Sequence, residues 1–234
     1  MYDPLTLARL LVVGGVLSYA TYEDLKERAV SDLVWIVGGG FGVSAIIFEC
    51  LSMRFDPIEL VSIGLVGAIS YALYKADLYG GADALAIITV SVILPIFRPS
   101  HAFHSMAGLM VLTNSLILSL SIPIYFATRN LLSLLKGERI FEGFEEPLWK
   151  KLFASFIGYR SKKPGKFFLT LEKVEGGKRK LDLSLKSTRE DFVQGEDIWV
   201  TPAIPMILFM LAGFVVMVLY GDLLFSILMA LRRL

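Results

Sequence analysis

The chain has 234 residues, 55% of them hydrophobic, with a mean hydropathy of +0.65 and a formal net charge of +1. Soluble domains are only about 45–50% apolar even with glycine counted, so this composition excludes an ordinary water-soluble fold. It leaves room for several spans of about 20 apolar residues each. The single cysteine, Cys50, excludes an internal disulfide framework and a cysteine-based zinc knuckle.

In chain order, six stretches read as spans: Leu5–Tyr22, Leu33–Leu51, Ile58–Tyr74, Ala84–Phe97, Met106–Leu134 and Pro202–Leu231. Ahead of the first stands Asp3 rather than a basic region, and no small-residue cleavage site follows it. It is therefore expected to persist as a span rather than leave as a signal peptide. The second carries Gly38-Gly39-Gly40 with Gly42, a GxxxG spacing that permits close helix packing. The fourth is short at its apolar core and is expected to include Gly81–Asp83 or to tilt little. Between the fifth and sixth, Phe167–Leu171 and Leu181–Leu185 alternate apolar and polar residues around Glu175-Gly176-Gly177-Lys178, a β-hairpin signal.

The expected fold class is an α-helical integral membrane protein of about six transmembrane helices, with a small, partly β cytosolic domain between the fifth and sixth. The expected divisions are a membrane domain over 1–135, a soluble domain over 136–200 and the sixth transmembrane helix over 201–234. Of the 23 Lys and Arg residues, 14 lie between Lys136 and Arg189, which by the positive-inside rule puts that domain in the cytosol and both termini outside. Arg9, Arg232 and Arg233 run against this orientation. The aromatics Tyr71, Tyr74, Tyr79, Trp35 and Trp199 fall near span ends and read as interface anchors.

Carboxylates near membrane depth are costly and default to functional hypotheses. Asp24 closes the first span and Asp83, after Gly80-Gly81-Ala82, opens the fourth. Two complete spans separate them, so both lie at one membrane face. A pair of aspartates can share one proton because like charges a few Å apart resist double ionisation. The charged member then activates a water while the protonated member donates to the substrate carbonyl. Gly80 and Gly81 would allow unusual backbone conformations and close approach of a substrate strand. On the residues alone, an equal reading makes Asp83 a helix-terminal cap and Asp24 an interfacial carboxylate.

Three blocks go further: Asp24-Leu25-Lys26-Glu27-Arg28-Ala29-Val30-Ser31-Asp32, Gly80-Gly81-Ala82-Asp83 and Thr201-Pro202-Ala203-Ile204-Pro205. Together they resemble the GxGD family of membrane aspartic proteases, in particular the archaeal preflagellin peptidases related to type IV prepilin peptidases. Alanine stands at the third GxGD position and leaves Asp83 in its place. The resemblance implies that Asp24 and Asp83 are catalytic and that Gly80, Gly81 and Ala82 form the active-site loop. It also implies an endopeptidase of the cell membrane, with a cytoplasmic catalytic face, that removes a short basic leader from an archaellin or pilin-like precursor. No cofactor is implied, and the partners are the precursor and the bilayer rather than nucleic acid. The loop Asp24–Asp32 is short and lacks the cysteine-rich insert of many bacterial relatives, so peptidase activity without methyltransferase activity is expected.

Glu23 and Glu27 could attract a basic leader, or simply belong to a juxtamembrane charge mix. Asp77 is the substitute for Asp83 if the register differs, and Asp32 reads as a solvated loop charge. His101 and His104 lack the further ligands a zinc site takes, and Asp222 lies far into the last span, away from the pair. The alternative from another class is a small transporter or channel whose aspartates relay protons or bind a cation, although such sites sit nearer the midplane. A non-catalytic membrane adaptor is the third reading.

Overall fold

The computed structural model describes residues 3–165, 167–176, 178–183 and 197–233. Helix α1 (Pro4–Glu27) starts where Asp3 accepts from the Leu5 and Thr6 backbone N–H groups at 3.0 and 3.1 Å, with proline at the first helical position. It is followed by α2 (Asp32–Leu51), α3 (Ile58–Lys75), α4 (Gly81–Ile93), α5 (Ala107–Ser119) and α6 (Ser121–Leu135). Next come α7 (Leu148–Ile157), strands β1 (Tyr159–Ser161), β2 (Phe168–Thr170), β3 (Glu172–Glu175), β4 (Lys178–Leu181) and β5 (Ile198–Pro202), then α8 (Met206–Leu219) and α9 (Leu223–Leu231). The chain divides into two compact units, 1–119 with 205–234, and 120–204.

The architecture is that of a membrane protein with a small β region. Helices α1, α2 and α3, and the run Ala107–Leu135, are long and apolar enough to cross a membrane, and the pair α8–α9 makes up to five. All six expected stretches are helical over most of their length, but the fourth is shorter than a full span and the sixth is not one continuous helix. Helix α4, at 13 residues, is short because it is surrounded by protein: α1, α2, α3, α5 and α8 all pack on it, and Ala86, Ile87, Val90 and Ile93 are buried. A helix that faces neighbours rather than lipid need not match the hydrocarbon thickness.

The expected sixth span, Pro202–Leu231, is broken. Pro202 ends β5, and α8 and α9 meet at a 66° bend at Tyr220-Gly221-Asp222. Gly221 has φ +116°, and its carbonyl and that of Gly213 accept from the buried Asn114 Nδ2 at 2.9 and 3.2 Å. The Leu223 N–H donates to Asn114 Oδ1 at 2.9 Å, so one α5 side chain satisfies the backbone groups that the break exposes. Asp222 is buried at the start of α9 and caps it.

Close packing follows the glycines. A Cβ on Gly42 would lie 2.6 Å from the Val92 carbonyl oxygen and one on Gly38 would lie 3.0 Å from Thr89, so the GxxxG face joins α2 to α4. Gly39 and Gly40 meet nothing. Arg9 is buried and pairs with Glu49 at 2.6 Å and Glu59 at 3.7 Å, so its charge is neutralised within the helices.

In the second unit, a three-stranded antiparallel sheet of order β1-β5-β2 lies beside the β3–β4 hairpin. The core is Ile140, Phe144, Ala154, Leu171, Leu181 and Trp199. The hairpin differs in extent from the expected one: its register pairs Glu172 with Leu181 and Glu175 with Lys178. A two-residue loop obliges the residues flanking it to pair at once, whereas the expected segments left a gap. Phe168–Thr170 pairs with β5 instead, and Gly177, Ser184 and Leu185 lie outside the described residues.

The aromatic reading needs correction as well. Trp199 is fully buried, stacks on Phe141 at 4.8 Å and donates to the Ile140 carbonyl at 2.9 Å. Trp35 and Tyr79 are also buried, leaving Tyr71 and Tyr74 exposed.

Candidate active site

Asp24 occupies the last turn of α1. The helix stops because Arg28 turns left-handed, with φ 55°, and returns its N–H to the Asp24 carbonyl at 2.9 Å. The same reversal brings the Arg28 guanidinium back over Asp24, Nη1 to Oδ2 at 3.5 Å, with both side chains 17% exposed. Asp83 occupies the first turn of α4, where its Oδ2 accepts from the Gly80 N–H at 3.0 Å. That contact satisfies one of the donors a helix start leaves orphaned.

The backbone around Asp83 is ordinary. Gly80 is extended, with φ −69° and ψ 161°, and Gly81 is the first helical residue. Neither needs glycine's conformational freedom, so only the lack of a side chain remains as a reason for them. Ala82 packs against the core as the second residue of α4.

Asp24 and Asp83 belong to the same unit, on helices that contact each other. Both are partly buried, whereas Asp32 and Asp77 are exposed and Asp77 sits in the left-handed turn after α3. Glu23 accepts from the Ser31 N–H at 2.8 Å and ties the loop Asp24–Asp32 to α1. It also borders an apolar groove of about 350 Å³ between α1 and α2, lined by Val16, Tyr19, Leu33 and Val37. Glu27 is exposed and pairs only with Lys26, at 3.1 Å, among the contacts of the described residues.

The buried Thr21 Oγ1, one turn before Asp24, and Trp35 Nε1 have no hydrogen-bond partner among the described residues, and Tyr79 Oη makes no regular hydrogen bond but lies within reach of the Ser115 side chain. Tyr79 directly precedes Gly80. Burial above all, and then the charge on Asp83, push its phenol up to about 12, so it is neutral across the physiological range. Tyr79 is thus a buried neighbour of Asp83 rather than the expected interface anchor, and Arg28 is a neighbour of Asp24 that the expected site did not include. The Asp24–Arg28 spacing of four residues was the available signal for the second.

On the far side of α4, His101 stacks on Tyr220 at 5.7 Å and His104 Nδ1 accepts from the Met106 N–H at 3.3 Å. No group of three or more His, Cys, Asp or Glu among the described residues is arranged to hold a metal.

Residues 165–223 match the family model described as Archaeal Peptidase A24 C-terminus Type II. Preflagellin peptidase from Methanococcus maripaludis is 23% identical over 234 aligned residues, covering 90% of this chain and 94% of that protein. The preflagellin peptidase of Methanocaldococcus jannaschii is 24% identical over 230, covering 90% and 93%. This chain resembles the archaeal preflagellin peptidases. That of Methanococcus voltae, 22% identical over 232 residues, has the same reach. The likeness to the preflagellin peptidases thus extends over nine-tenths of the chain, whereas the family model begins beyond both Asp24 and Asp83.

Proposed function

We propose that this chain is a membrane aspartic endopeptidase that removes the short basic leader of archaellin or pilin-like precursors, with Asp24 and Asp83 as its catalytic pair. The observation that carries the reading is the position of the two acids. Each is a partly buried carboxylate at the end of a helix, and the two helices pack together in one unit whose sequence is similar to preflagellin peptidases.

The chemistry follows from a shared proton. The ionised carboxylate takes a proton from water, and the protonated one donates to the scissile carbonyl oxygen as the hydroxyl oxygen adds to its carbon. Collapse of the tetrahedral species breaks the C–N bond, and the proton passes to the departing amine. Gly80, Gly81 and Ala82 present little side chain, so an extended substrate strand can run close to Asp83. The apolar groove along α1 and α2 suits the precursor's apolar helix, and Glu23 and Glu27 suit its basic leader.

The catalytic face is cytoplasmic in this reading, with 136–200 as a cytosolic domain, because 14 basic residues lie between Lys136 and Arg189. The mechanism requires no cofactor. The loop Asp24–Asp32 is short and holds no cysteine-rich insert, so cleavage is expected without methylation.

The test is reconstitution in liposomes with a precursor that carries a short basic leader before an apolar helix. One cut ahead of that helix, with no proton or cation flux, is the expected result. Flux without a cut would replace this reading with the transporter.

A further inference from the structure

Helix α7 carries an apolar face that the described residues of its own unit leave largely exposed, although Trp149 and Phe153 also border a cleft of about 470 Å³ with Lys173, Lys180 and Leu181 of the β3–β4 hairpin. Leu148, Trp149, Leu152, Phe153 and Phe156 are between 43% and 84% exposed. At 3.6 residues per turn they fall within a sector of about 140°, so they form one stripe rather than scattered contacts. Ala154, on another side of the helix, is buried in the core with Trp199 and Leu171. Lys150 and Lys151 flank the stripe, and Lys150 pairs with Glu146 at 3.1 Å. An amphipathic helix with aromatic and leucine residues on one face and lysines beside it has the composition of a segment lying in the membrane interface.

What covers the stripe is indicated by α6, in the same unit. Helix α6 is the final part of the apolar run Ala107–Leu135, which is long enough to cross a bilayer. Its Leu131, Leu132, Leu134 and Leu135 are exposed. Asn130, one turn before its end, donates from Nδ2 to the Ser155 and Gly158 carbonyls at 3.0 and 2.8 Å. Those carbonyls belong to the last turn and C-cap of α7, so the side chain both satisfies α7's orphan acceptors and fixes α7 against α6. A helix fixed to the final turns of a membrane-crossing run sits at the depth of the lipid headgroups.

We propose that α7 is an interfacial helix whose stripe from Leu148 to Phe156 is embedded in the bilayer, with Lys150 and Lys151 at the level of anionic lipid headgroups. Trp149 then occupies the interfacial zone that indole rings favour. The proposal does not depend on the aspartic-protease reading. It anchors the second unit to the membrane at a second point besides its covalent connections.

The experiment labels the full-length protein with a nitroxide at single cysteines in a Cys50→Ala background, reconstituted in bilayers with and without anionic lipid. Leu148→Cys, Leu152→Cys and Phe156→Cys sample the stripe, Lys151→Cys its flank and Val174→Cys, exposed on the hairpin, the water reference. Accessibility to oxygen and to a water-soluble nickel reagent is then read at each site. Stripe labels should favour oxygen at least several-fold over the Val174 label, with Lys151 between them. Replacing Lys150 and Lys151 by glutamine should reduce the effect of anionic lipid. Stripe labels that match the Val174 label would overturn the proposal. So would labels that lose nickel access only when a precursor is added, which would make the stripe a protein-docking face.

Discussion

The Asp83 carboxylate accepts a hydrogen bond from the Gly80 backbone N–H at 3.0 Å, so the acid assigned to catalysis also caps the helix that carries it. The cap and catalytic readings of this residue are therefore not alternatives. One carboxylate oxygen fixes the start of α4, and the same bond holds the side chain in one orientation at the mouth of the helix.

Gly81 tests what the glycines are for. It is helical, and a Cβ there would meet only Tyr74 Cε2, at 3.9 Å. Gly81→Ala should leave the melting temperature unchanged or raise it slightly, since alanine is favoured over glycine in helices by about 0.5–1 kcal/mol. Cleavage should nonetheless fall, because the added methyl stands where the substrate strand approaches Asp83. Unchanged kcat/KM would contradict close approach at this position.

Tyr79→Phe removes a buried hydroxyl that makes no hydrogen bond of regular geometry among the described residues and has a weak contact with Ser115. An unsatisfied buried polar group costs about 1–3 kcal/mol, so stability should hold or improve. If the neutral phenol donates toward the reacting carbonyl or Asp83, kcat should drop about tenfold or more with a smaller change in KM. A phenylalanine variant with full activity would return Tyr79 to a packing role.

Two adjacent stretches of the same GxxxG helix should respond oppositely. Gly42→Ala drives a methyl to within 2.6 Å of the Val92 carbonyl oxygen, whereas Gly39→Ala enters open space. The first should cost about 1–3 kcal/mol by overpacking and the second should cost nothing. Thermal unfolding of the two variants in one detergent decides this, and equal melting temperatures would refute the α2–α4 contact.

His104 gives the fold a pH dependence. Burial holds its imidazole below the usual range, with the charge on Asp222 opposing that shift. Its Nδ1 accepts from the Met106 N–H, a bond lost on protonation. The folded chain thus binds this proton less tightly than the unfolded chain does, so the contribution is complete above pH about 6.5 and declines as pH falls below it. His104→Gln should flatten the acid side of the melting-temperature profile. An unaltered slope would assign the acid sensitivity to other groups.

Much of this was legible because membrane sequences are written in long blocks. The apolar runs and the Gly38–Gly42 spacing survive translation into structure. What failed were local inferences that depend on three-dimensional neighbours. The break at Gly221 is stabilised by Asn114, more than 100 positions away in sequence, so the apolar run from Met206 to Leu231 gave no warning. Trp35 and Trp199 read as interface anchors from their positions, yet their burial depends on the helices and strands around them. The pairing of Arg9 with Glu49 and Glu59 was likewise hidden by sequence separations of 40 and 50 positions. At the proposed site, Asp24 and Asp83 stood out in the sequence as carboxylates at span ends, while the neighbours Arg28 and Tyr79 depend on the backbone reversal after α1 and the packing of α4.

The most direct measurement co-expresses the chain with an archaellin-type precursor and follows the size shift in membranes for Asp24→Asn, Asp83→Asn and the exposed control Asp77→Asn. The asparagine of Asp83→Asn retains an acceptor for the Gly80 N–H, so α4 keeps its cap and loss of activity reports chemistry rather than unfolding. The account predicts no cleavage by either of the first two variants and normal cleavage by the third. Cleavage that survives Asp24→Asn or Asp83→Asn would contradict the catalytic pair.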